Sequence, residues 1–353
     1  MSRAAAWTRG GSAALVGCCL VSACGSRSEL SRCAFGVCEE PAPGGAPSVG
    51  KGGTGALGGS GGATATAGRS SFGGSSGGGQ GGTMIAEAGR GGDAGGGGEG
   101  GEPPEPPFVL LLVDGSFSMF ASSVWRPTYE AIMGEGGPVE RYQDRVRFGF
   151  AGYRGRGQSS EDDPACADIE RVSYALDNTE TIRAVYGTLT PRRGYWETPT
   201  GHALIRVTDE LVAESAEARK YILLFSDGAP DTCATTRPQC GQDRAVFAVQ
   251  GAFRRGVETR AIGIGYGTEY DCSSEDSRCN VDHFQDLANA GVGLPVQAPP
   301  PSYLSLPCAA ETGGTLLANY AEEGGLAPFH WAQSPDEVRS AVEAILEAIL
   351  AEQ

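Results

Sequence analysis

Apolar residues are organised from residue 108 onward and almost nowhere before it. Phe108-Val109-Leu110-Leu111-Leu112-Val113 is an unbroken apolar run, too short to cross a membrane and rich in branched side chains. It predicts a central strand buried on both faces. Tyr221-Ile222-Leu223-Leu224-Phe225 repeats the pattern, and Arg260-Ala261-Ile262-Gly263-Ile264-Gly265 adds another strand. Residues 147–153 alternate in period two, and residues 169–172 predict a short edge strand. Between the strands the period lengthens. Ala203, Leu204, Val207 and Leu211 share one face of a helix predicted over 200–212. Further helices are predicted over 243–254 and over 281–290, the second with Phe284, Leu287 and Ala288 inward. Residues 291–307, with Pro299-Pro300-Pro301, predict an irregular insertion. The chain closes on its clearest helix: Ser334 caps, Pro335 opens the first turn, and Glu337 completes a capping box. Val338, Ala341, Val342, Ile345, Leu346, Ile349 and Leu350 form its apolar stripe, which belongs on a sheet face. The crossovers are long enough for right-handed βαβ units. Residues 108–353 are therefore expected to form an α/β domain with a doubly wound, mostly parallel central sheet flanked by helices.

Composition separates this domain from what precedes it. The chain of 353 residues contains 56 Gly, 27 of them within the 67 residues from 41 to 107. That stretch has no apolar period and almost nothing to bury, so it predicts a disordered Gly/Pro-rich linker. As a random coil it spans on the order of 40 Å. Residues 1–23 carry Arg3 and Arg9, a short apolar core around Leu15 and Val16, and small residues before Cys24, the pattern of a secretory signal peptide. Val21-Ser22-Ala23-Cys24 resembles a bacterial lipobox, which implies that Cys24 is lipidated and begins the mature chain. Residues 24–40 are then a lipidated N terminus. Gly25 stands where an Asp commonly retains such proteins at the inner membrane, so a lipid-anchored position at the bacterial outer membrane or cell surface is expected, with the periplasmic side open. The formal net charge of -16 and the lack of clustered Lys and Arg exclude nucleic acid as a partner.

Cysteine usage agrees with export. Of 11 Cys, Cys18 and Cys19 leave with the signal and Cys24 is acylated. Cys33, Cys38, Cys166, Cys233, Cys240, Cys272, Cys279 and Cys308 remain, an even set that an oxidising compartment would pair. Short spacings suggest Cys33 with Cys38, Cys233 with Cys240 and Cys272 with Cys279, leaving Cys166 for Cys308. A zinc centre is disfavoured, because no Cys-x-x-Cys occurs and His residues number 3.

The opening strand ends in Asp114-Gly115-Ser116-Phe117-Ser118, one carboxylate and two hydroxyls at i, i+2 and i+4. That is a hard-cation site in outline. The second buried strand ends in Ser226-Asp227-Gly228, and Glu197-Thr198-Pro199-Thr200 precedes the 200–212 helix. Together these resemble the three site motifs of von Willebrand factor A (vWA) domains: Asp-x-Ser-x-Ser, the threonine loop at Thr198, and Thr-Asp-Gly with Ser226 in place of Thr. The resemblance covers residue 108 to the C terminus and implies a Rossmann-like fold with a metal-ion-dependent adhesion site. Its implied ligands are Asp114, Ser116, Ser118, Thr198 and Asp227, holding Mg²⁺, or Mn²⁺ or Ca²⁺, with one position open to an Asp or Glu carboxylate of a protein partner.

No catalytic residues are assigned. His202 with Ser118 and Asp227 invites a hydrolytic triad, but no Gly-x-Ser-x-Gly elbow exists and a helix His is expected to face solvent. A non-enzymatic adhesion or protein-binding module on a lipid-anchored stalk is the expectation. The competing one is a structural or scaffolding envelope lipoprotein that does not use the metal, its Ser and Asp side chains merely capping helices.

Overall fold

The computed structural model describes residues 104–157, 159–160, 163–266, 280–300, 308 and 316–353. The expected signal peptide, lipidated N terminus and linker up to residue 103 lie outside the described residues, as do Cys24, Cys33, Cys38, Cys272 and Cys279.

Six strands form one sheet in the order β3-β2-β1-β4-β5-β6. They are β1 Phe108–Asp114, β2 Arg147–Arg154, β3 Asp168–Ala175, β4 Lys220–Ser226, β5 Val257–Ile264 and β6 His330–Ala332. All neighbours are parallel except β2 and β3, which run antiparallel at the edge. The helices are α1 Phe117–Ala121, α2 Trp125–Met133, α3 Pro138–Tyr142, α4 Thr179–Tyr186, α5 Thr200–Val212, α6 Pro238–Arg254, α7 Asn280–Gly291 and α8 Pro335–Ala351. Among the described residues no helix is long and apolar enough to cross a membrane. The domain is a doubly wound α/β fold, as the sequence predicts.

The apolar runs are continuous because both faces of the central strands are covered. On β1, Val109, Leu111 and Val113 enter a core shared with α2, α3, α4 and α8. Phe108, Leu110 and Leu112 point the other way, into a core shared with α5, α6 and α7. On β4, Tyr221, Leu223 and Phe225 face the first core, and Ile222 and Leu224 the second. The edge strand β3 carries Glu170 and Arg171 instead, and charge on an edge discourages pairing with another chain.

Several boundaries differ from expectation for identifiable reasons. The helix predicted from residue 243 begins at Pro238, because the buried turn Gln239-Cys240-Gly241-Gln242 has no apolar period to announce it. β6 has only three residues, too few for a period. In α8, Ser334 Oγ accepts from Glu337 N at 3.3 Å, but Glu337 Oε2 returns to Gln333 N rather than to the cap residue itself. His202 is buried, not solvent-facing, because the first turn of α5 packs against α6, where a Cβ on Gly201 would meet Arg244.

The disulfide pairing also differs. Cys166 bonds Cys233 and Cys240 bonds Cys308, with Cα–Cα distances of 5.9 and 5.5 Å. The expected Cys233–Cys240 and Cys166–Cys308 pairs are therefore wrong. Sequence spacing measures only the path along one loop, whereas neighbouring loops supply the nearer partners. Ser159 Oγ donates to Cys233 O at 3.1 Å, holding residue 233 against the β2–β3 connection that carries Cys166. Asp243 in α6 accepts from Leu317 N at 2.8 Å and Ala318 N at 3.0 Å, so residues 317 and 318 lie against the same helix that carries Cys240.

Replacing Cys240 and Cys308 together with Ser is expected to cost about 4 kcal/mol, from release of a bridge spanning 68 residues. The measurement is urea denaturation without reductant. Disulfide mapping that recovered Cys233 joined to Cys240 would contradict this connectivity.

Candidate metal centre

The chain passes from β1 outward to β2 and β3, then returns to the other side of β1 as β4. The order therefore reverses between β1 and β4, and open α/β sheets bind ligands at the carboxyl ends of strands flanking such a reversal. Asp114 is the last residue of β1, and Asp227 directly follows β4. The two strands pair in parallel up to Val113 and Phe225, which sets Asp114 beside Ser226. Ser226 Oγ donates to Asp114 Oδ2 at 2.6 Å.

The other carboxylate oxygen of Asp114 accepts from Ser116 N at 2.8 Å, closing a turn that starts α1. Ser116 then occupies the N-cap and Ser118 the first turn, so their hydroxyls lie 3.0 Å apart. Ser118 Oγ donates to Asp227 Oδ1 at 2.8 Å. Four of the five expected ligands thus form one hydrogen-bonded string from Asp114 to Asp227. Gly115 makes a close approach here: its N–H donates to Tyr153 O at 2.7 Å, and a Cβ would stand a tight 3.2 Å from that oxygen.

Thr198 belongs to an adjacent string. It is buried, and its backbone pairs with Asp231, with Asp231 N donating to Thr198 O at 2.8 Å and Thr198 N to Asp231 Oδ2 at 3.4 Å. The two strings meet at Tyr153, which pairs with Asp114 in the sheet register. The Tyr153 hydroxyl lies 2.8 Å from Thr200 Oγ1. Burial, and then the Asp114 carboxylate, hold its pKa well above the usual phenol value, so it remains a hydroxyl. Sequence reasoning placed Tyr153 in a strand without a role. Its signal was a polar aromatic at the carboxyl end of a strand next to β1.

The electrostatics favour a cation. Asp114 is fully buried, both its oxygens accept from uncharged donors, and the charge facing it is another carboxylate. Burial first, and Asp227 second, push the Asp114 pKa up to about 7 against the lowering by Ser226 and Ser116. A buried like-charge pair is unfavourable alone and favourable around a metal ion. The donors are all oxygens, as Mg²⁺ and similar hard ions require. Among the described residues no group of three or more His, Cys, Asp or Glu could hold a metal ion, so a thiolate or imidazole centre does not compete there. The residues present fit a hard divalent cation.

No family model matches this chain, and no curated protein does. Solved structures similar to it include the pilus adhesin SpaC of Lactobacillus rhamnosus GG in its open conformation, at 16% identity and a TM-score of 0.45, covering 71% of this chain and 31% of that one. BatB of Bacteroides thetaiotaomicron matches at 12% identity and a TM-score of 0.40, covering 69% of this chain and 99% of that one. Manganese-loaded TRAP of Plasmodium vivax matches at 18% identity and a TM-score of 0.36, covering 52% and 63% respectively. The chain spans about a third of the length of the SpaC adhesin.

The raised pKa of Asp114 fixes the sign of a pH effect in chelator. Between about 4 and 7 the folded state holds a proton that the unfolded chain has released, so stability from this group is lost as pH rises through that window. Urea midpoints measured in EDTA should therefore fall across it, and Asp114→Asn should flatten the trend. A second outcome concerns Gly241, where a Cβ would collide with Pro230 O. Gly241→Ala should displace the 230–231 turn, lower the melting temperature and weaken Mg²⁺ binding measured by calorimetry.

Proposed function

We propose that this domain is a metal-dependent protein-binding or adhesion module of vWA type. Its site is formed by Asp114, Ser116, Ser118, Thr198 and Asp227, and it takes Mg²⁺, or Mn²⁺ or Ca²⁺ in its place. The observation that carries the reading is the placement of Asp114 and Asp227 at the sheet's reversal point, joined through two Ser hydroxyls, with Asp114 held by the uncharged donors Ser116 N and Ser226 Oγ. Bound there, the ion would supply an electrophilic position open to a partner's Asp or Glu carboxylate.

The protein's own groups divide the work. Asp114 and Asp227 supply charge, the first locked by Ser116 N and Ser226 Oγ and the second able to exchange its bond from Ser118. Ser118 gives its hydrogen to Asp227, so Ser116 donates to Ser118, and each oxygen keeps a lone pair for the site. Thr198, held through its backbone, contributes directly or through water. Ser226 and Tyr153 hold the ligands from beneath. The engagement of these groups in positioning oxygens toward one point supports a non-enzymatic binding role.

The lipobox at Cys24 and the Gly-rich linker support presentation from a bacterial outer membrane or cell surface, with membrane contact through the lipid anchor. A metal-bridged contact carried on a linker of that composition would suit capture of a protein at a distance.

Thermal melting in Mg²⁺ and in EDTA tests the site. Wild type should gain several degrees with saturating Mg²⁺, and Asp227→Ala should lose that gain. An equal gain in the variant overturns the ligand assignment. A partner captured from envelope extract that stays bound in EDTA would favour the scaffolding alternative.

A further inference from the structure

The threonine loop is approached by a hairpin unlike the rest of this acidic chain. Gly155, just beyond β2, pairs antiparallel with Glu197, and Gly157 N donates to Gly194 O at 3.4 Å. Arg156 is thereby set beside Tyr195 and Trp196, two residues before Thr198. The Tyr195 ring gathers guanidinium groups, with Arg192 at 4.3 Å, Arg156 at 5.8 Å and Arg154 at 5.9 Å from its centroid. Such contacts order cations that solvent would otherwise leave mobile. Arg154 is buried and neutralised by Asp168 and Glu170, and Arg192 shares Asp168 at 3.0 Å. Arg156 and Arg193 are exposed and make no ion pair among the described residues. Glu197 is the hairpin's own acid. Trp196 is 44% exposed, one of the few large apolar side chains left in solvent.

We propose that Arg156, Arg193 and Trp196 form a second anchor beside the metal centre, and that the partner is an acidic protein segment whose further carboxylates meet these arginines. The proposal rests on the metal-dependent reading above and names the partner class for that site. Trp, Tyr and Arg are the residues most enriched at binding hot spots, and here they crowd into one hairpin. Charge supplies the class. Two site carboxylates and one divalent cation cancel formally, so the centre alone offers an anion no net attraction, whereas the adjacent guanidiniums do. Arg in a fixed planar fork suits carboxylates in particular. Trp196 gives the segment an apolar surface between the two anchors.

The test uses the full chain and two fluorescent peptides, one with a single Glu in a Gly-Ser background and one with alternating Glu residues, with anisotropy read in Mg²⁺ and in EDTA. In Mg²⁺ the multi-Glu peptide should bind about tenfold more tightly, the size of one hot-spot contact. Arg156→Gln with Arg193→Gln should erase that preference while leaving the Mg²⁺ melting gain unchanged, and Trp196→Ala should weaken both peptides. Equal binding of the two peptides, binding of neither, or an unchanged preference in the double variant overturns the proposal. So does a heparin fragment that binds through the same arginines when the acidic peptide does not. Loss of the Mg²⁺ melting gain in wild type would instead defeat the metal reading, so the two failures are distinct.

Discussion

The opposition of Asp114 and Asp227 governs this end of the domain. A carboxylate at the end of each of two adjacent buried strands is unfavourable for folding, since burial penalises charge and the like neighbour adds to it. Without a cation, Ser226, Ser116 N and Ser118 hydrogen-bond the pair, and burial with the like charge raises the Asp114 pKa, which favours its neutral form. A fold optimised for stability alone would place apolar residues there. Such a cost suits a centre that would complete its charge balance with a cation, which would then bear on the loops on both sides.

Those loops are tied to one another as well as to the site. Tyr153, beside Asp114 in the sheet register, joins the end of β1 to Thr200 on α5, and Asp231 joins the threonine loop to the segment after Asp227. That segment is fastened near both ends, by Cys233 to Cys166 and by Cys240 to Cys308. Glycines set the spacing, Gly115 against Tyr153 O and Gly241 against Pro230 O. Ligands drawn from three distant stretches of sequence are thus held by covalent and hydrogen-bonded ties that do not depend on the metal. Such preorganisation reduces the ordering required when a partner arrives.

Much of this was legible in the sequence. The runs at 108–113 and 221–225 showed buried strands because parallel sheets covered on both faces need no polar alternation, and the oxygen-bearing residues at their ends marked the site. What was hidden depended on three-dimensional proximity. The role of Tyr153 rests on strand register, the disulfide partners on which loops lie side by side, and the start of α6 on a buried polar turn. The burial of His202 depends on the approach of α6 and cannot be read from the helix that carries it. Short helices such as α3 and the three-residue β6 fall below the length at which any period is visible.

Net charge bears on what a partner of this site must be. An acidic protein repels an acidic ligand at long range, but salt near physiological strength screens that repulsion within about 8 Å. Attraction therefore has to be local and short-ranged. A divalent ion flanked by two carboxylates is formally neutral as a unit and acts by coordination, which recognises a carboxylate wherever one is offered. Selectivity among the many exposed Asp and Glu side chains of other proteins must come from the surroundings of the ion. On this domain Trp196 and the guanidiniums gathered around Tyr195 sit on the hairpin that leads into Thr198. Coordination would determine that a carboxylate binds, and the hairpin would determine which one.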